Sequence, residues 1–109
     1  MLDLLIRGGT VVDGTGSAPY AADVAVENGR IVEVGALPGA HARRIISADG
    51  KLVTPGFIDI HRHADLAAWR PGFGQPELRQ GLTTIVNGNC GLSAAPMRRA
   101  KRAEIAAYL

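Results

Sequence analysis

Long apolar runs are missing from these 109 residues. No stretch approaches the ~20 apolar residues that a membrane-spanning helix needs, so no membrane span is expected. The start of the chain carries no positive segment followed by a long apolar one, which argues against a signal peptide. Aromatic residues are scarce, at 5%, and the net charge is only +2. That balance supports neither a base-stacking platform nor a nucleic-acid surface. The basic cluster Arg98-Arg99-Ala100-Lys101-Arg102 reads instead as a solvated helix start. A single cysteine, Cys90, excludes an intrachain disulfide and fits a reducing compartment. A cytoplasmic location is the expectation.

Hydrophobic residues, at 47%, and plentiful glycine suit a packed chain rather than a disordered one. From Met1 to about Leu52 the sequence reads as short strands joined by turn signals. Leu4-Leu5-Ile6-Arg7 leads to Gly8-Gly9, and Thr10-Val11-Val12 leads to Asp13-Gly14. Asp23 to Glu27 and Ile31 to Val34 flank Asn28-Gly29, a strong hairpin signal because both residues tolerate positive φ. Ala36 to Ala42 reads as a loop, with His41 a plain surface residue, and Arg44 to Ala48 as a further strand. Four or five such strands predict a small antiparallel sheet or half-sandwich over residues 1–52.

The pattern changes from residue 53 onward. Phe57 to Ile60 and Leu82 to Val86 are continuous apolar strands of the kind buried on both faces. Between them, Leu66 to Gly81 holds Pro71, Gly72, Gly74 and Pro76, then Glu77-Leu78-Arg79-Gln80, enough for a short helix. Strand, helix, strand predicts a crossover between two parallel neighbours.

The first of these strands runs into His61-Arg62-His63. On a strand the side-chain period is two, so His61 and His63 share a side with Asp59, while Ile58, Ile60 and Arg62 take the other. Two imidazoles on one face at a strand's C-terminal end can share a divalent metal, although polar groups at a strand end are an equally ordinary reading. The second strand leads into Asn87-Gly88-Asn89-Cys90-Gly91. Ligands of parallel α/β folds bind at the C-terminal ends of the strands, so Cys90 is expected on the same rim as the histidines. That convergence favours a metal role for Cys90 over a lone buried thiol.

Pro55-Gly56-Phe57-Ile58-Asp59 followed by His61-x-His63-x-Asp65 resembles the first-strand motif of the amidohydrolase superfamily. Leu5 to Gly14 is similar to that superfamily's opening strands. Gly81-Leu82-Thr83-Thr84, with Gly88-Asn89-Cys90-Gly91 and Ser93 to Pro96, resembles the N-acyl-D-amino-acid deacylase branch, the D-aminoacylases. Hydantoinases and dihydroorotases share the paired histidines but typically lack the Asn-Cys-Gly.

The resemblance implies an α/β architecture. A small β-domain, residues 1–52, precedes the first two βα units of a metal-dependent (β/α)8 barrel, residues 53–109. It implies amide hydrolysis with one or two zinc ions, held here by His61, His63 and Cys90. Asp59, Asp65, Asn89 and Ser93 are expected beside the metal or facing the substrate. Arg62 departs from the small polar residue often found between the histidines and is expected to face away from the metal.

A full barrel takes ~250 residues, and the family's remaining metal histidines and its general acid/base lie on later strands. Lys101 to Leu109 reads as a helix without a stop signal. A larger chain carrying the rest of the barrel is therefore the expected partner, alongside a small N-acyl amino acid as substrate. Two other readings stay open. One is a relative acting on a cyclic amide or another amide; the other is a non-catalytic structural subunit with a vestigial metal motif.

Overall fold

Gly8 and Gly9 do not separate two strands; they sit inside one. In the computed structural model β1 runs unbroken from Leu2–Val11. It pairs antiparallel with β2, Tyr20–Glu27, and the register slips between Ile6 and Gly9. Two residues of β1 oppose one of β2 there, a β-bulge with Gly8 at φ 73°. The extra residue reverses the alternation, so Ile6, before the bulge, and Val11, after it, lie on one face. Both pack with Val24 and Val53 around the buried Val11, Ala22 and Val24. Gly9 is required by space: a Cβ there would come 2.4 Å from Val53 Cγ2.

The structure describes residues 1–65, 67, 70–93 and 95–108. Leu66 at the start of the expected crossover, Ala94 of the Ser93-to-Pro96 stretch and Leu109 lie outside them. The chain divides into two compact units, Met1–Pro55 and Gly56–Leu109.

In the first unit β2 turns at Asn28 and Gly29, both with positive φ, into β3, Arg30–Gly35. The expected antiparallel sheet holds for β1, β2 and β3. On the other edge it becomes mixed, because β4, Ala42–Ser47, and the short β5, Leu52–Val53, both pair with β1 in parallel. The loop between β3 and β4 returns the chain to the starting end of the sheet, a distance that turn signals alone do not reveal.

Asp23 anchors that loop and the bulge together. Its Oδ1 accepts the Gly8 N–H at 2.8 Å and its Oδ2 accepts the Leu37 N–H at 3.1 Å. Those bonds, with the nearby Arg7 charge, hold its carboxyl below the usual range.

The second unit opens with β6, Phe57–Asp59, followed by α1, Gln75–Arg79, and β7, Leu82–Ile85. β6 and β7 are parallel neighbours, as the crossover predicts. The strands approach closely at Gly56, where a Cβ would lie 2.7 Å from Thr83 Cβ. A tight turn at 89–91 follows β7, and the terminal helix α2 spans Arg102–Tyr108 after one turn at Arg99–Lys101. Phe57, Ile58 and Ile60 are exposed rather than buried on both faces. The reason is local: β7 is the one strand paired with β6 among the described residues. Among those residues no helix is long and apolar enough to cross a membrane.

Candidate metal centre

Regular strand geometry ends at Asp59, and the chain bends at Ile60 and His61. The Val86 N–H donates to the Asp59 carbonyl at 2.8 Å, and the Arg62 N–H donates to the Val86 carbonyl at 3.2 Å. These bonds tie the backbone on either side of His61 to the end of β7. The two imidazoles stand edge to face, with ring centroids 5.3 Å apart.

Cys90 arrives from the other strand through a left-handed turn. Gly88, Cys90 and Gly91 have φ of 81°, 56° and 75°. For glycine that conformation is easy, but for a residue with a Cβ it is strained, and such strain persists only where surrounding contacts hold it. Asn89 supplies such contacts: its Nδ2 donates to the Val86 carbonyl at 2.7 Å and to the Arg62 carbonyl at 3.3 Å.

Two further bonds join the same loops. The Gly88 N–H donates to Asp65 Oδ2 and the Ala64 N–H to Asn87 Oδ1, each at 3.3 Å. The thiol is thereby set with Sγ 3.4 Å from His61 Nε2.

One ligand atom from each of His61, His63 and Cys90 lies within 4.8 Å of the other two, and all three residues are exposed. Donors on a tetrahedral zinc stand about 3.5 Å apart, given Zn–N near ~2.0 Å and Zn–S near ~2.3 Å. The Cys90–His61 pair already stands at that spacing, and two imidazoles with a thiolate suit a borderline-soft dication.

Of the other expected residues, Asp59 turns its Oδ1 to the His61 backbone N–H at 3.1 Å and its Oδ2 toward Arg62 Nη1 at 3.7 Å. Asp65 and Asn89 bridge loops, as described. Ser93 closes a local turn, with its Oγ bonded to the carbonyl and N–H of Ala95 at 2.5 and 3.2 Å. Arg62 points to α1, where its guanidinium pairs with the buried Glu77. Asn87 and Glu77 were not singled out from the sequence. An asparagine closing an apolar strand signals a loop clasp, whereas nothing near Glu77 marks it as buried.

The chain is similar to several known proteins. The amidohydrolase family model matches residues 44–104. The chain is 43% identical over 98 residues to the D-aminoacylase of Alcaligenes xylosoxydans xylosoxydans, covering 90% of this chain and 20% of that protein. It is 47% identical over 96 residues to the N-acyl-D-glutamate deacylase of the same organism, covering 87% and 20%.

Among solved structures, it superimposes on the N-acyl-D-glutamate deacylase of Bordetella bronchiseptica with a TM-score of 0.81 and 47% identity, over 87% of this chain and 20% of that one. That enzyme was solved with zinc and a phosphonate inhibitor, a mimic of the reaction's tetrahedral intermediate. The chain thus spans about a fifth of the length of the curated relatives it matches. Its sheet and its paired strands match the N-terminal region of such enzymes, and the chain belongs to the amidohydrolase family.

Proposed function

We propose that this chain is the N-terminal part of a zinc-dependent deacylase of N-acyl-D-amino acids, with His61, His63 and Cys90 as metal ligands. The observation that carries this reading is the convergence of Cys90, from the second barrel strand, on the histidine pair of the first. The deacylases matched above support the substrate class. When bound, zinc polarises the scissile carbonyl and lowers the pKa of its water so that amide hydrolysis proceeds near neutral pH. One ion or two fit this reading.

The chain's own contribution is to hold and orient. His61 and His63 offer neutral nitrogen donors, and Cys90 offers a thiolate that a dication keeps deprotonated. Asn89 and Asp65 keep the two ligand-bearing loops in register. The acid/base that protonates the leaving amine belongs to the remainder of the barrel, which we assign to a larger chain or a continuation of this one. The exposed Phe57, Ile58 and Ile60 are the apolar surface that remainder would cover. A thiolate ligand suits the cytoplasm's reducing conditions.

The test is an assay of the complete protein on N-acetyl-D-amino acids, their L-forms and a hydantoin. Release of free D-amino acid with discrimination against the L-form is expected. Turnover of the hydantoin alone would overturn the deacylase reading and leave the family intact. The 109 residues alone are expected to hydrolyse nothing.

A further inference from the structure

Arg62 places a permanent positive charge one residue from each of the two histidines, an unfavourable neighbour for a divalent cation. Its backbone has no freedom to retreat. The Arg62 N–H is bonded to the Val86 carbonyl and its own carbonyl accepts from Asn89. Only the direction of the side chain decides how close the guanidinium comes to the donor set. Two carboxylates decide that direction. Glu77 of α1, whose side chain is 12% exposed, takes Nη2, and Asp59 approaches Nη1 at 3.7 Å. Glu77 is the buried charged residue among those described, and Arg62 is its ion-pair partner. A buried carboxylate is costly to leave unpaired, which favours keeping the Arg62 guanidinium against Glu77.

We propose that Glu77 is a positioning residue for the metal centre: with help from Asp59 it draws the Arg62 charge toward α1 and preserves the affinity of His61, His63 and Cys90 for a dication. This inference rests on the metal reading above. It also assigns a task to α1 that its short length and loop-like sequence do not suggest. An ordinary structural brace makes a different prediction. In a brace, loss of either partner weakens the site equally. Under electrostatic positioning, loss of Glu77 leaves the Arg62 charge with only the longer Asp59 contact, whereas loss of Arg62 removes that charge altogether.

The experiment is a zinc titration of the complete protein against a chromophoric chelator, for the parent and for E77A, R62Q and R62Q/E77A, with melting of the metal-free forms alongside. We expect E77A to weaken zinc by roughly tenfold, R62Q to bind at least as tightly as the parent, and the double variant to return within about threefold of it. Melting temperatures are expected to fall for both single variants, so they do not track the affinities. Should E77A not fold, R62Q carries the test, since a brace predicts weakened zinc there. The proposal is overturned if E77A binds zinc like the parent, or if R62Q is weakened as much as E77A. A parent that binds no zinc overturns the metal reading itself, and this inference with it.

Discussion

Cys90 Sγ lies 3.4 Å from His61 Nε2, across 29 residues of sequence. The contact joins the ends of two parallel strands and depends on a cysteine backbone at φ 56°. A strained residue that presents a soft donor to an imidazole is over-determined by its surroundings, here by Asn89 and the flanking glycines. Each part of that arrangement has a measurable consequence.

Cys90→Ser keeps the turn and the size of the side chain but replaces a thiolate with a neutral hydroxyl, a much poorer ligand. Zinc affinity is expected to fall by more than about tenfold. Cobalt substitution provides the check: the sulfur-to-metal charge-transfer band of the parent should be absent from the variant. A band of equal strength in both would remove Cys90 from the centre.

Asn89→Ala leaves the Arg62 and Val86 carbonyls without their side-chain donor and releases the turn that aims the thiol. Partners that orient metal ligands are typically worth about 10–100-fold in metal affinity or activity. Zinc titration is expected to show a loss in that range. An unchanged affinity would show that the glycines alone hold Cys90 in place.

Gly56→Ala tests the close approach of the two barrel strands. The added methyl would meet Thr83 at its Oγ1, Cγ2 and Cβ, at 2.1, 2.2 and 2.7 Å. Rotating the threonine relieves the first two contacts but not the third, so the strands must separate. Overpacking of this kind costs about 1–3 kcal/mol. Denaturant titration is expected to show that loss, with Thr83→Ala recovering only part of it.

Asp23 makes the first unit sensitive to acid. Its folded-state pKa is lowered, first by the Gly8 N–H and then by the Leu37 N–H, from an ordinary 3.8. A depressed carboxylate contributes stability above the unfolded value, and that contribution disappears as pH falls through the folded value. Thermal melts from pH 5 down to about 2.5 should therefore show a declining melting temperature. In Asp23→Asn the decline should be shallower; parallel curves would place the acid sensitivity elsewhere.

Much of the site is visible in local sequence. The paired histidines, the Asn-Cys-Gly after a second apolar strand, and the Asn28-Gly29 turn each follow from short-range rules of side-chain period and permitted φ. Other features are hidden because they depend on distant partners. Gly8-Gly9 reads as punctuation between strands, and only Asp23, 15 residues away, shows it to be a bulge within one. The parallel pairing of β4 is hidden for the same reason, since register belongs to the partner strand as well. Glu77 looks like a surface helix residue until Arg62 arrives beside it.

By itself the sequence determined which donors exist and at what spacing: two imidazoles one residue apart, and a thiol between Asn89 and Gly91. Periodicity and backbone freedom are properties of adjacent residues, and they need no folded partner to be read. The tertiary structure decided that those donors meet within 4.8 Å, and that the arginine between the histidines turns to α1. The first depends on parallel pairing of β6 with β7, the second on the ion pair with the buried Glu77. Those contacts form between residues far apart in the chain, where local propensity carries no information.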